Sequence, residues 1–426
     1  MADALETRAA TAASPAEVVR RPTVPPRWLK WTAVFGPAFV VSMAYVDPGN
    51  FATNTAAGAR YGYLLLWVIA AANVVAMFVQ YLSCKLGTAT GRSMPELCRE
   101  RCPRTVNAFL WLQAEAVAIA TDLAELIGGA IALNLLFGVP LLPGVLITAA
   151  IALLLLLLAP QGRHRFETVL AGLLLVILAG FLYQAWQAGP TADAATGLVP
   201  RFDGGDSLLL ATGIIGATVM PHVVYLHSAL TRHHSRHDGQ ARVRRTALRR
   251  GRREIVVALA FAGAANMAML VVAAAAFQHA TAGVDTLHDA HAGLRAALGP
   301  GVATAFALAL LASGLASSSV GTYAGQIIME GFLRRRIPLA LRRAATLVPA
   351  MGLLLAGLEP TRALVLSQVA LSFGIPFALI PLIYFTSRRS LMGPLVNRPL
   401  TTVLATLAAA LISGLNLFLL AQPLLT

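Results

Sequence analysis

The sequence predicts an all-α integral membrane protein with eleven transmembrane helices, and three observations carry that expectation. Only 12% of the 426 residues are charged and 57% are hydrophobic, where an ordinary soluble domain is about 25% charged. Apolar stretches of about 20 residues, the length that crosses a bilayer, recur along the chain. The basic residues alternate in placement: 29 of the 33 fall in the N-terminal tail or at every second connection, and only Arg60, Arg201, Arg295 and Arg362 fall on the other side. So little charge cannot cover a water-soluble globule of this length. A soluble enzyme, a disordered protein and a nucleic-acid binder are therefore set aside, and the net charge of +14 reads as a topology signal.

The elements follow in order. Residues 1–31 are polar, rich in Ala, Thr and Pro, and lack the apolar core of a cleavable signal; they are expected to form a disordered cytosolic tail. The apolar stretches cover about 32–59, 62–86, 108–137, 140–159, 167–188, 207–230, 254–277, 301–333, 341–358, 363–386 and 401–421. Residues 32–426 thus form a single transmembrane domain, and the longest polar stretch is the Arg/His-rich segment 232–254. The basic-residue asymmetry puts the N-terminus in the cytosol, and eleven spans put the C-terminus outside. Nearly all basic residues are Arg, Lys30 and Lys85 excepted, which suits a GC-rich bacterial genome and hence a bacterial inner membrane. Three cysteines, Cys84, Cys98 and Cys102, make no disulfide framework.

Two spans carry unusual chemistry. The first reads Ala44-Tyr45-Val46-Asp47-Pro48-Gly49-Asn50, and the sixth reads Gly216-Ala217-Thr218-Val219-Met220-Pro221-His222. Pro48 and Pro221 each remove a backbone donor in mid-membrane, and Gly49 lets the chain leave helical geometry. The carbonyls just upstream, Ala44 and Ala217 among them, lose their helical partners, which is costly in hydrocarbon unless something else binds them. The breaks lie five spans apart, so the two halves have opposite orientation. Paired broken helices at matching positions mark 5+5 inverted-repeat transporters with substrate at the midplane. The repeats would cover about 32–188 and 207–386, with 401–421 as an additional helix.

Asp47 offers a hard anionic oxygen, Asn50 a neutral one and Met220 a soft thioether, with the Ala44 and Ala217 carbonyls to complete a shell. Mg²⁺ and Ca²⁺ prefer all-oxygen shells, whereas softer transition ions accept sulfur. The set points to Mn²⁺ or Fe²⁺, with Cd²⁺ and Co²⁺ as further candidates.

Asp47-Pro48-Gly49-Asn50 and Met220-Pro221-His222 resemble the paired signature of the Nramp family, the natural resistance-associated macrophage proteins. Gly321–Phe332, Gly213–Leu230 and the run from Ser367-Gln368-Val369 to Pro381 resemble further motifs of that family. The resemblance runs from about residue 32 to the end. It implies a leucine-transporter-type fold and proton-coupled uptake of divalent metals by alternating access. By position, Asp47, Asn50 and Met220 match the family's metal-binding side chains and Ala44 and Ala217 its carbonyl donors. Gln368 matches a span-10 glutamine that joins the shell in some conformations. Val223 departs from the pattern, because many relatives carry Asn there. Magnesium-transporting relatives lack the methionine.

A driving ion is also needed. Span 3 holds Glu115, Asp122 and Glu125, of which the last two share a helix face. Buried carboxylates resist ionisation unless paired, and Arg342 and Arg343 at the start of span 9 are candidate partners. His222 lies two residues from Met220. The resemblance assigns Asp122, Glu125, Arg342, Arg343 and His222 to a polar network leading away from the metal site, with Asp47 as first proton acceptor. The rival reading is a purely structural salt-bridge cluster. His227 suits packing or gating, and the amides Asn73, Gln80 and Asn266 suit helix links or a pathway lining.

Other features carry little. His288 and His291, near Asp285, are expected in a solvated outward loop; His233, His234 and His237 sit among arginines that repel cations. Cys98 and Cys102 are expected in a cytosolic loop without a second ligand pair for zinc. No Gly-rich phosphate loop supports ATP drive, and no permanently bound cofactor or obligate protein partner is indicated beyond metal ions, protons and lipid. Two rivals remain. An organic-solute symporter of the same fold binds a carboxylate at helix N-termini and needs no convergent Asp and Met. An intramembrane metalloenzyme needs three ligands and a general base around an open metal position, and no His-Glu-x-x-His motif is present.

Overall fold

A computed structural model describes residues 36–157, 163–189, 192–232, 241–277 and 284–425. The N-terminal tail and His233, His234 and His237 lie outside the described residues. Everything described falls in one unit, Phe35–Thr426.

The architecture is helical throughout. The first expected span is two helices, α1 (Pro37–Ala44) and α2 (Pro48–Tyr61). Then come α3 (Leu66–Thr90), a short connecting α4 (Met94–Arg101), α5 (Arg104–Phe137), α6 (Leu141–Leu157) and α7 (Arg163–Ala188). The sixth expected span is again two helices, α8 (Gly204–Thr218) and α9 (Pro221–Thr231). The remainder is α10 (Ala241–Phe277), α11 (Leu287–Leu298), α12 (Pro300–Leu333), α13 (Leu339–Leu355), α14 (Pro360–Thr386), the single turn α15 (Arg389–Met392) and α16 (Pro399–Leu425). Among the described residues, eight helical stretches are long and apolar enough to cross a membrane, and α6 is a shorter apolar helix.

Both prolines of the broken spans sit at the first position of the second half-helix. There the missing N–H is an orphan in any case, so proline starts a helix at no hydrogen-bond cost. Upstream, Tyr45 N–H turns back to Ser42 O at 3.1 Å and Val219 N–H to Ile215 O at 2.7 Å. The result in each case is two separate helices joined by a short linker, residues 45–47 and 219–220, whose last residue is extended, not one kinked helix.

The breaks are held by close packing. α12 lies along α5, where Gly314 meets Gly129 backbone to backbone, 2.9 Å from the position its Cβ would take. The Pro48 ring fills the space beside Gly128 of α5. Phe51 of α2 packs against Phe181 of α7 and Phe306 of α12, with ring centroids 5.1 and 5.7 Å apart.

Three expected loops are helices. The segment after span 2 contains α4, which starts with a reciprocal capping box: Ser93 N–H donates to Glu96 Oε2 at 2.6 Å and Glu96 N–H to Ser93 Oγ at 3.4 Å. It carries Cys98 in the core. The segment after span 7 contains the amphipathic α11, opened by a Thr286–Asp289 capping box, with His288 Nε2 2.8 Å from Asn134 Oδ1. The seventh helix starts at Ala241, well before the expected 254. Arginine, alanine and leucine are good helix formers, and the apolar run that ends a span does not have to end the helix.

Candidate metal site

Asp47 caps the N-terminus of α2. Its Oδ1 accepts the backbone N–H of Asn50 at 2.8 Å and Asn50 Nδ2 at 2.7 Å. Its Oδ2 accepts Gln368 Nε2 from α14 at 3.2 Å. Asn50 Nδ2 also donates to the Ala217 carbonyl at 3.1 Å, so the freed acceptor at the end of α8 is met by the side chain of the other broken helix. Gln368 reaches the site because Gly49 and Gly216 leave room for it: a Cβ at Gly49 would collide with its amide, and one at Gly216 with its backbone carbonyl. Met220 is the N-cap residue of α9, and Ala44 ends α1. All of these residues are fully buried.

Asp47, Asn50, Ala217 and Gln368 therefore meet at one point contributed by α2, α8 and α14. The amide oxygens Asn50 Oδ1 and Gln368 Oε1 have no hydrogen-bond partner. Among the described residues no three His, Cys, Asp or Glu side chains come together. The centre is thus one carboxylate with neutral oxygens and, at the adjoining break, a thioether. Such a set suits a weakly held divalent ion better than a caged one.

Two further carbonyls at the first break, beyond Ala44 and Ala217, are already hydrogen-bonded. Tyr45 O accepts Asn266 Nδ2 of α10 at 2.7 Å, and Val46 O accepts Ser313 Oγ of α12 at 2.6 Å. Asn54, one turn beyond Asn50, donates to Asn266 Oδ1 at 3.2 Å. Ser313 and Asn54 were missed. Asn54 carried a signal, the i, i+4 spacing from Asn50, whereas Ser313 looks like any small residue in an apolar helix.

The titratable residues form a second group on α5 and α13, packed against α12. Asp122 and Glu125 are fully buried. Glu125 lies within electrostatic reach of Asp47 on one side and of Asp122 and Arg343 on the other. Arg343 Nη1 is 4.0 Å from Asp122 Oδ1, and its Nη2 donates to Ser318 Oγ at 2.6 Å. Arg342 pairs not with Asp122 or Glu125 but with Glu115, two turns away on α5, at 2.8 Å. Two glycines of α12 make the seat. A Cβ at Gly321 would lie 2.6 Å from Glu125 Oε2 and 2.9 Å from Asp122 Oδ1, and one at Gly325 would collide with the Arg342 guanidinium. His222 is joined to Thr121 Oγ1, 3.3 Å from its Nδ1, and so meets this group only through the residue next to Asp122.

A third chain of contacts ties the breaks to α3. Gln80 Nε2 donates to Tyr45 Oη at 2.7 Å, and Gln80 Oε1 lies 2.8 Å from His227 Nδ1. Gln80 thus links helices, as its burial in an apolar face suggested.

Fold and site together define a multi-pass helical membrane protein with an ion-sized polar centre between two unwound helices. Comparison with known proteins places it within that class. Residues 38–422 match the family model described as natural resistance-associated macrophage protein-like. The chain is 50% identical over 390 residues to the divalent metal cation transporter MntH of Mycobacterium leprae, covering 91% of each chain. It is 49% identical over 387 residues to the protein of the same name from Bacillus subtilis, covering 90% of this chain and 91% of that one. The crystal structure of the Eremococcus coleocola manganese transporter, in complex with an aromatic bis-isothiourea substituted compound, superposes with a TM-score of 0.79 at 32% identity, covering 94% of this chain and 88% of that one. MHP1, a nucleobase-cation-symport-1 family transporter in a closed conformation, shares the fold with a TM-score of 0.62 at 14% identity, covering 90% of each chain. The chain belongs to the Nramp family. It is a transporter, not an enzyme.

Proposed function

We propose that this protein imports divalent transition-metal ions, Mn²⁺ and Fe²⁺ first among them and Cd²⁺ and Co²⁺ as further candidates, together with protons by alternating access. The observation that carries the reading is the single buried carboxylate of Asp47 at a helix break, hydrogen-bonded to two amides whose oxygens are left over. Rotating either amide exchanges an N–H donor for an oxygen donor, so one set of side chains suits both an empty and an ion-bound centre. Ala217 O, Met220 Sδ and Ala44 O complete the proposed shell. The relatives named as divalent metal or manganese transporters support the choice of cargo.

Every ligand of this shell is sealed from solvent, so an ion enters or leaves only if the half-helices move. The first residue to lose its proton as the cation binds is taken to be Asp47. Glu125, Asp122 and Arg343 offer a route for that charge away from the metal, with Arg342 and His222 at its margins. The proposed architecture is eleven transmembrane helices in a 5+5 inverted repeat, with α1/α2 and α8/α9 as the paired breaks. The proposed setting is a bacterial inner membrane, N-terminus in the cytosol and C-terminus outside.

The test is metal uptake in proteoliposomes with an internal pH dye and competing divalent ions. Mn²⁺ entry with internal acidification supports the proposal. Mn²⁺ entry without any acidification rejects the proton coupling, and no entry of any transition ion rejects the cargo.

A further inference from the structure

At one end of the bundle five arginines meet around a single cavity of about 520 Å³. Arg245, Arg249, Arg252 and Arg253 come from α10, at spacings that put them along one helix face, and Arg398 comes from the residue before α16. Tyr81 of α3 and the buried Leu248 line the rest, with Arg252 and Arg398 both within electrostatic reach of the tyrosine hydroxyl. Among the described residues none of the five arginines has an acidic partner. The neighbouring Glu254 is taken by Arg250 at 2.8 Å and does not line the cavity.

An excess of arginine on one side of a membrane protein accounts for their number. It does not account for five of them converging on one space without a carboxylate. Like charges held together destabilise the fold unless an anion joins them. Guanidinium forks match phosphate oxygens, usually two hydrogen bonds at a time. Five forks exceed what one singly charged phosphodiester satisfies.

We propose that this cavity binds the headgroup of an anionic phospholipid carrying two phosphodiesters, a diphosphatidylglycerol. The position favours a lipid over a free anion. Arg252 and Arg253 directly precede the apolar run of α10, where Val256 and Val257 are exposed, and Arg398 directly precedes α16, where Leu400, Val403 and Leu404 are exposed. Basic residues that cap apolar, lipid-facing helix surface are where a headgroup and its acyl chains are both accommodated. Only the leaflet depends on the orientation proposed above, which makes it the cytosolic one.

The protein purified in mild detergent is examined by native mass spectrometry and by thermal unfolding. Diphosphatidylglycerol, phosphatidylethanolamine and inorganic pyrophosphate are added in separate arms. The expected result is retained diphosphatidylglycerol and a raised melting temperature with that lipid alone. Arg245→Gln with Arg249→Gln, and separately Arg252→Gln with Arg398→Gln, should each weaken retention about tenfold or more. The matching arginine-to-lysine pairs keep the charge but lose the fork; they control for folding, and should retain more lipid than the glutamine pairs and less than the wild type. Equal retention by wild type and both glutamine pairs overturns the proposal. So does equal protection by pyrophosphate, which would make the cavity a free-anion site, or equal protection by phosphatidylethanolamine, which would make it unselective. None of these residues touches the metal site, so a failed lipid experiment leaves the transport proposal standing.

Discussion

In the proposed cycle Asp47 is the residue on which uptake turns, because it joins an N-cap and a buried charge to the proposed ligand role. Replacing it with alanine removes the anion and the N-cap together, and uptake in proteoliposomes should fall to background. Met220→Ala acts differently: it removes the soft donor and leaves the oxygens. Mn²⁺ uptake should continue at a reduced rate, while Ca²⁺ and Mg²⁺ compete better than in the wild type. A variant that excludes Ca²⁺ as the wild type does would show that sulfur is not the selector. Glu115 is half-buried and its partner Arg342 is buried, so removing the glutamate strands a buried guanidinium. Glu115→Ala should therefore destabilise by about 1–3 kcal/mol, read by thermal unfolding in detergent. The sequence singled out Asp47, Asn50 and Met220 as candidates, since a carboxylate and a thioether beside mid-membrane prolines are rare, and the structure joins Asp47 to Asn50. It did not reveal that Arg342 chooses Glu115, because that choice depends on where α13 crosses α5.

At the scale of the element, close approach sets the geometry of the breaks. The break at Asp47 is seated on α5 through the Pro48 ring and Gly128. A methyl group at Gly128 has to displace a ring fixed by backbone. Gly128→Ala should cost about 1–3 kcal/mol and slow uptake more than it weakens apparent metal affinity, because it shifts the half-helix and leaves the ligands in place. Paired melting curves and uptake kinetics separate the two effects. The connecting helix α4 gives a second, pH-dependent prediction. Its Cys98 thiol, one helical turn before Cys102, donates to the Cys102 sulfur and holds that thiol down at about 7, while Cys98 and Cys84 are buried. The thiolate is the reactive form, so Cys102 is protonated and slow well below pH 7, and becomes reactive as the pH rises through it. Maleimide labelling at pH 7.5 should mark Cys102 first, Cys102→Ser should abolish that early phase, and labelling at pH 6 should be about tenfold slower. The helical state of α4 and α11 was hidden in the sequence. Both are short, and their caps, Ser93 to Glu96 and Thr286 to Asp289, read equally well as turns until the chain is packed.

At the scale of the whole molecule, closure is the central property. The candidate centre is buried on every side, and Gln80 ties the end of α1 to α9 through Tyr45 and His227. Eight of the eleven expected spans were legible as helices long and apolar enough to cross a membrane, counted among the described residues, because a bilayer enforces about 20 apolar residues per crossing. Their ends were less so: α10 continues as helix well into the arginine segment, since helix formation does not stop where hydrocarbon does.

What the amino-acid sequence determined alone was therefore the membrane-spanning character, the two breaks and the kinds of side chain offered at them. Each of these follows from local rules of hydropathy, proline geometry and ligand hardness. Only the tertiary structure decided which freed carbonyls are already capped by Asn266 and Ser313, that Gln368 closes the site through space left by two glycines, and that the carboxylates of α5 rest on Gly321. Those contacts join residues far apart in the chain, and their existence depends on how closely helices approach, which no local pattern encodes.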